Sequence, residues 1–261
     1  MTDASERYQI QSVERALDMI TIISETERPL TFTEIIEMTG LPKSSTFRYL
    51  STMVNRGYFI IDPVDNTYRI GPGFPMGNND MSETIKDLAT PIMKKLSIKL
   101  GETVNLGVLA GLTIKYIKVV ESPRQIRASS RIGSRDSLHC TALGKIILSK
   151  FENRELGLIL QAIDFTEKTS KTILTVSDLK NEIQKIRARG YAIDDLENDS
   201  ECRCVAVNIP FSGQNLALSV SAPASRLPLN QVNHVAGNLI ETVNELVEAS
   251  KALDFLNGLS R

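Results

Sequence analysis

The segment His139-Cys140-Thr141-Ala142-Leu143-Gly144-Lys145 runs into an apolar stretch, and its residue types suggest a use. If a helix starts there, its first backbone N–H groups have no intrahelical acceptor. Ala142 and Leu143 are then placed to present theirs to an anion such as a carboxylate. A nucleotide loop is excluded, because Gly144-Lys145 lacks the upstream glycine and Ile146 stands where Ser or Thr would hold magnesium. His139, Cys140, Cys202 and Cys204 have the ligand types of a zinc site. Cys-x-Cys is a weak zinc spacing, however, and strand alternation puts both thiols on one face as readily for packing, so neither metal nor cofactor is expected. With His139 and His234 as the only histidines, no Ser/His/Asp arrangement is suggested. The chain is read as a binding protein rather than an enzyme, with a hydrolase or transferase as the rival class.

A second chemistry lies near the N-terminus. Thr31 and Glu34 are spaced as a capping box opening a short helix through Ile35, Ile36 and Met38, which Gly40 stops. Leu41-Pro42 restarts the chain as a helix toward Gly57. On it Thr46, Tyr49, Leu50, Met53 and Val54 fall on one side, and Lys43, Ser44, Ser45, Phe47, Arg48 and Ser51 on the other. This short-turn-long pair is the helix-turn-helix pattern, whose second helix enters the major groove by its N-terminal end. Ahead of it, Ser12 is expected to cap a helix with Val13, Ala16, Leu17, Ile20 and Ile23 inward. Beyond it, β-prone residues 58–62 and 67–70 flank Pro63-Val64-Asp65-Asn66 as a hairpin, or wing. Ser44, Ser45, Phe47 and Arg48 are expected to face the groove, with Lys43 and Arg69 on phosphate. The same pattern also suits a three-helix interaction module that never meets DNA.

Charge makes the DNA argument local. The 261 residues carry a net charge of −1, and residues 1–77 hold seven Lys/Arg against ten Asp/Glu. Between Gly40 and Gly71, however, Lys43, Arg48, Arg56 and Arg69 face only Asp62 and Asp65. So mild a positive face makes few phosphate contacts, and affinity must then come from two or more copies on a symmetric, palindromic site. Hydrophobic content of 42% with 23% charge is ordinary globular composition. Met1 to Ile10 is polar, no stretch approaches the roughly 20 apolar residues of a membrane span, and three cysteines suit a reducing compartment. A soluble cytoplasmic protein with free thiols and no membrane partner is expected.

Breakers from Gly71-Pro72-Gly73 to Gly77-Asn78-Asn79 mark a boundary. The expected units are a winged helix-turn-helix at 1–77, a linker helix at 78–100 capped by Ser82 and kinked at Pro91, and a larger domain at 101–261. In that domain, alternation predicts strands around 104–108, 114–120 and 127–132. A second strand pair, 204–210 and 216–222, surrounds Ser212-Gly213-Gln214, and Tyr191-Ala192-Ile193 follows Gly190. Helices are predicted over 140–151, 153–163, 176–189 and 232–253. Strand runs flanked by helices make an α+β fold.

Those residues resemble the IclR-type transcription regulators over nearly the whole chain. The likeness is carried by Ser12-Val13-Glu14-Arg15-Ala16-Leu17, Thr39-Gly40-Leu41-Pro42-Lys43-Ser44, Arg56-Gly57-Tyr58 and Gly101-Glu102-Thr103-Val104. It continues in Arg131-Ile132-Gly133-Ser134-Arg135, Leu138-His139-Cys140-Thr141-Ala142-Leu143-Gly144-Lys145 and Arg189-Gly190-Tyr191-Ala192-Ile193-Asp194-Asp195. Arg203-Cys204-Val205-Ala206 and Ser219-Val220-Ser221-Ala222-Pro223 complete it. The resemblance implies a winged helix-turn-helix, a linker helix and a GAF/PAS-like α/β effector-binding domain, assembled as a homodimer or dimer of dimers on double-stranded DNA. It also implies an effector pocket made by the helix start at Ala142 and Leu143 with Asp194, Cys204, Ser219 and Ser221. The effector is expected to be a small organic acid, a sugar acid or an aromatic acid. Ser219 and Ser221 share a strand face, and their hydroxyls suit one carboxylate. Thr46 and Phe47 replace the family's usual aliphatic residue and histidine, and Asp136 replaces an apolar one, so neither operator nor ligand carries over.

Overall fold

The computed structural model describes residues 10–26, 28–71, 73, 79–211 and 215–259. The chain divides into two compact units, Met1–Phe74 and Pro75–Arg261. Most of the expected boundary stretch, and the Ser212-Gly213-Gln214 turn, lie outside the described residues.

The first unit runs α1 (Gln11–Glu25), β1 (Leu30–Thr31), α2 (Phe32–Thr39), α3 (Lys43–Asn55), β2 (Phe59–Ile61) and β3 (Thr67–Ile70). The Thr31–Glu34 capping box is formed in both directions: Glu34 N–H donates to the Thr31 hydroxyl, and the Glu34 carboxylate accepts from Thr31 N–H at 2.7 Å. Gly40 ends α2 at φ +64°, a left-handed geometry that glycine adopts without a Cβ penalty. Met19, Ile23, Leu30, Ile35, Leu50, Phe59 and Tyr68 form the core. Two expectations change. Ser12 lies inside α1, whose N-cap is Ile10 with no side-chain cap, and the buried stripe is Met19 and Ile23, leaving Val13 and Leu17 50% and 56% exposed. The sequence admits two overlapping apolar stripes on this helix, and packing selects one. The hairpin also gains a third strand, since Leu30 and Thr31 pair antiparallel with Tyr68 and Thr67.

The second unit opens with α4 (Asn79–Leu100), which begins three residues before Ser82, so that serine is within the first turn and is not the cap. There follow β4 (Thr103–Ala110), β5 (Thr113–Val120), β6 (Arg135–Ser137), α5 (Ala142–Leu148), α6 (Asn153–Ala162), α7 (Val176–Arg189), β7 (Ala192–Asp195), β8 (Cys202–Ile209), β9 (Leu216–Pro223) and α8 (Val232–Leu259). The strands make one antiparallel sheet in the order β6-β5-β4-β9-β8-β7. The strand expected at 127–132 is absent. Those residues are loop, anchored where the Thr103 hydroxyl donates to Ala128 O at 2.6 Å, and the edge strand is β6 instead.

Period-two alternation gives the sheet two unlike faces. One carries Val104, Leu106, Val205, Val207, Leu218 and Val220 against Ile85, Ala89, Met93 and Leu96 of α4 and Val235, Leu239 and Val243 of α8. The helix read as a linker thus forms part of this unit's core. Leu218 stands in register between Leu106 and Val207, an unbroken aliphatic row. The opposite face carries Thr103, Asn105, Tyr116, Asp194, Cys204, Ser219 and Ser221 as well as small apolar residues, and α5 and α7 cover it in part.

Candidate functional site

In the first unit, α3 separates its faces as the sequence reading expects. Thr46 and Leu50 are buried, Thr46 bonding back to Pro42 O at 3.2 Å, while Lys43, Ser44, Phe47 and Arg48 are exposed and Ser45 is half-buried. Phe47 is 60% exposed. So apolar a ring on the polar face of a helix suits contact with a thymine methyl group, and Arg48 beside it suits guanine or phosphate. Arg69 is placed differently from an outstretched phosphate contact: its guanidinium lies 3.4 Å from the buried carboxylate of Asp62, across the wing hairpin.

In the second unit, backbone register builds the site. Asp194 of β7 pairs with Cys204 of β8, Cys204 with Ser221 of β9, and Ser221 with Thr103 of β4. Directly paired residues share a face, so a polar row crosses four strands. One row along, Ala206 pairs with Ser219 and Ser219 with Asn105. Over these rows a cavity of about 320 Å³ opens, lined by Ala142, Leu143, Asp194, Cys204, Ser219 and Ser221, that is, by all six residues named from sequence. They come from four separated segments and meet only through the sheet.

The α5 start is held over the cavity by Gly144, where a Cβ would stand 2.3 Å from Leu138 O. The Thr141 hydroxyl caps the helix by accepting from Gly144 N–H at 3.1 Å, and Ala142 and Leu143 open it. Behind them Lys145 is fully buried, and its ammonium donates to the Glu197 carboxylate. Glu197 and Asn198 in turn donate their N–H groups to Asp194 Oδ1 at 2.8 and 3.3 Å, across a turn in which Leu196 takes φ +66°. A non-glycine residue in that region is strained, and here the Lys145–Glu197 pair braces the turn that presents Asp194. Burial raises the Asp194 carboxyl to about 7, against the opposing pull of Lys145, so it is partly protonated near neutrality and able to donate.

Asn105, fully buried, donates Nδ2 to Ser221 at 3.0 Å and to Ser219 at 3.4 Å. As acceptors of those bonds, the serines keep their own protons to donate. Burial pushes the Cys140 thiol up to about 12 and Cys202 up to about 11, so neither is a ready thiolate. His139 is buried with Nε2 against Thr166 O at 3.1 Å, and among the described residues no three His, Cys, Asp or Glu gather as a metal site.

The cavity also contains residues that the sequence reading did not assign to it. Tyr116 donates its phenol to Asp136 Oδ2 at 2.8 Å, and both line the wall, as do Arg127, Thr141, Asn198 and Glu201. Asp136 stands out in sequence only as a departure from a family pattern. Tyr116 shares its alternation with Ile114 and reads as core.

Comparison with known proteins agrees with this architecture. Residues 12–59 match the family model described as the IclR helix-turn-helix domain, and residues 81–248 match that of the bacterial transcriptional regulator IclR C-terminal region. The chain is 34% identical to the HTH-type transcriptional regulator XynR of Escherichia coli, over 84% of this chain and 88% of the relative. It is 30% identical to the acetate operon repressor of Salmonella typhimurium, over 95% and 93%. The crystal structure of Thermotoga maritima IclR superposes with a TM-score of 0.61 at 27% identity, covering 92% of this chain and 99% of that one.

Proposed function

The chain belongs to the IclR family of DNA-binding transcriptional regulators, and from that premise we propose that a small organic acid seated in the β7-β8-β9-α5 cavity sets its affinity for a palindromic operator. The observation that carries this reading is the convergence of six sequence-named residues from four segments on one cavity. Its volume, about 320 Å³, lies at the small end of the roughly 300–1,000 Å³ range of ligand sites and suits a ligand of few atoms. The acid's carboxylate would take the serine protons, a shared proton on Asp194, and the first N–H groups of α5. Lys43, Ser44, Ser45, Phe47 and Arg48 would meet DNA, with Arg69 joining them only by leaving Asp62. Two or more copies would place two such helices on the two half-sites.

Ligand alters DNA affinity only in so far as it binds the DNA-competent and incompetent arrangements unequally. The test is footprinting on DNA upstream of the protein's own and neighbouring genes, across a salt series, with Arg48→Ala alongside. A symmetric protected site that weakens with salt and with the substitution, and whose protection changes with a metabolite acid, is the expected result. Binding that persists unchanged in Arg48→Ala, or that no acid alters in wild type when Ser221→Ala is also indifferent, overturns it. A monomer by light scattering overturns the symmetric site.

A further inference from the structure

The cavity has two chemically distinct ends. At one end, on β9, Ser219 and Ser221 accept from Asn105 of β4 and are left with protons to donate. At the other, on β5 and β6, the polar wall is Asp136 with Tyr116. The phenol proton is already given to Asp136 Oδ2, so this end offers a ligand acceptors. In the sheet order, β9 and β5 are separated by β4, which sets the two ends about 10 Å apart at the backbone. An acid with its carboxylate on the serines therefore extends its remaining carbons toward Asp136.

Charge on the lining has the same sense. Among the described lining residues, the carboxylates of Asp136, Asp199 and Glu201, with Asp194 partly protonated, face one cation, Arg127, whose guanidinium is held by Glu121 at 2.7 and 3.1 Å. A second carboxylate on the ligand would meet this excess of negative charge. An apolar tail would strip water from the Asp136 carboxylate and give it no donor in exchange, which costs more than the hydrogen bond itself is worth.

We propose that the Tyr116–Asp136 pair is the specificity determinant of this cavity, selecting a monocarboxylic acid whose far carbons carry hydrogen-bond donors, hydroxyl or ammonium, over one with an apolar tail. The inference rests on the reading of the cavity as an effector site and adds to it the identity of the ligand's other end. Asp136 touches the tail, and Tyr116 fixes the rotation of its carboxylate.

The test uses the full chain and calorimetric titration with three acids of equal carbon count: caproate with no donors, gluconate with hydroxyls and ε-aminocaproate with an ammonium group. Wild type is expected to bind gluconate or ε-aminocaproate about tenfold or more tighter than caproate. Asp136→Leu reverses that order. Asp136→Asn, which keeps the shape, separates the two donors: a hydroxylated acid retains much of its affinity on the amide oxygen, and an ammonium loses it. This variant also keeps the test decisive if Asp136→Leu does not fold. Caproate binding wild type as tightly as the others overturns the inference and leaves the effector cavity standing. If none of the three binds wild type the inference also falls; if the Asp136 variants then bind none either, the effector reading falls with it.

Discussion

The two faces of the six-stranded sheet are made by the same strands, yet they differ in almost every physical respect. On the α4 and α8 side, the middle of the sheet is aliphatic, with Leu106, Leu218 and Val207 in one buried row, and the face turns polar where Arg203 of β8, beside Ala222, pairs with Asp195 of β7. On the α5 side, Asp194, Cys204, Ser221 and Thr103 form the corresponding row, and the helices leave part of it uncovered as a cavity. Along β9, Leu216, Leu218, Val220 and Ala222 thus belong to one dry core, while Ser219 and Ser221 between them line the polar cavity and Ala217 packs in a second apolar cluster. Dry packing and polar lining are thus divided by side-chain parity rather than by segment, and on the proposed effector reading adjacent positions respond to substitution in opposite ways.

Four measurements test that division. The largest effect on folding is expected from Leu218→Ala, which leaves a void in the aliphatic row and costs about 2–5 kcal/mol in denaturant unfolding. A loss below about 1 kcal/mol would mean the dry face is loosely packed and the contrast is false.

Next comes the pH dependence from Asp194. Its folded value is raised from 3.8 to about 7 by burial, so between those limits the folded state holds more protons than the unfolded chain. The stabilising contribution is therefore fully present below the unfolded value and lost as pH rises through about 7, an effect on the order of a few kcal/mol. Asp194→Asn should flatten this slope in urea melts across that range, and an unchanged slope would assign the titration elsewhere.

Ser221→Ala, three residues from Leu218 and on the other face, is expected to cost only about 0.5–1.5 kcal/mol of stability while weakening effector binding about tenfold. If calorimetry shows the two serine hydroxyls indifferent to every acid that alters DNA binding, the polar face is not the recognition face. The smallest effect on folding belongs to Arg48→Ala on exposed α3, within about 0.5 kcal/mol by thermal melting, although DNA affinity should fall by about 1–3 kcal/mol in anisotropy titrations.

How far these features were legible in sequence varies with the range of the forces involved. Helix α7 is legible to its end residues, because Val176–Arg189 carries one unambiguous apolar stripe and Gly190 closes it at φ +83°. The Thr31–Glu34 box was legible for the same reason: capping is a contact between residues three apart. Helix α1 was harder, since Val13, Leu17, Met19 and Ile23 permit two stripes, and only the partners across the small core decide between them. Strand β6 is not legible in sequence, because a short edge strand has little alternation of its own. Arg135, Asp136 and Ser137 become a strand by pairing with β5.

Legible in the chain were the α2–α3 helix pair, the polar face of α3, and the parity that sends serines 219 and 221 to one side of β9. Those follow from local backbone geometry and from the transfer of apolar side chains out of water, which act over a few residues and leave a periodic trace. Folding in three dimensions is what brings Tyr116 to Asp136, Arg69 onto Asp62, and the buried Lys145 against Glu197. The first and third of these partners lie 20 and 52 residues apart, and even the Arg69–Asp62 contact spans a hairpin. Electrostatic and hydrogen-bond partners are chosen by what the fold brings within about 3 Å, and no pattern along the chain records that distance.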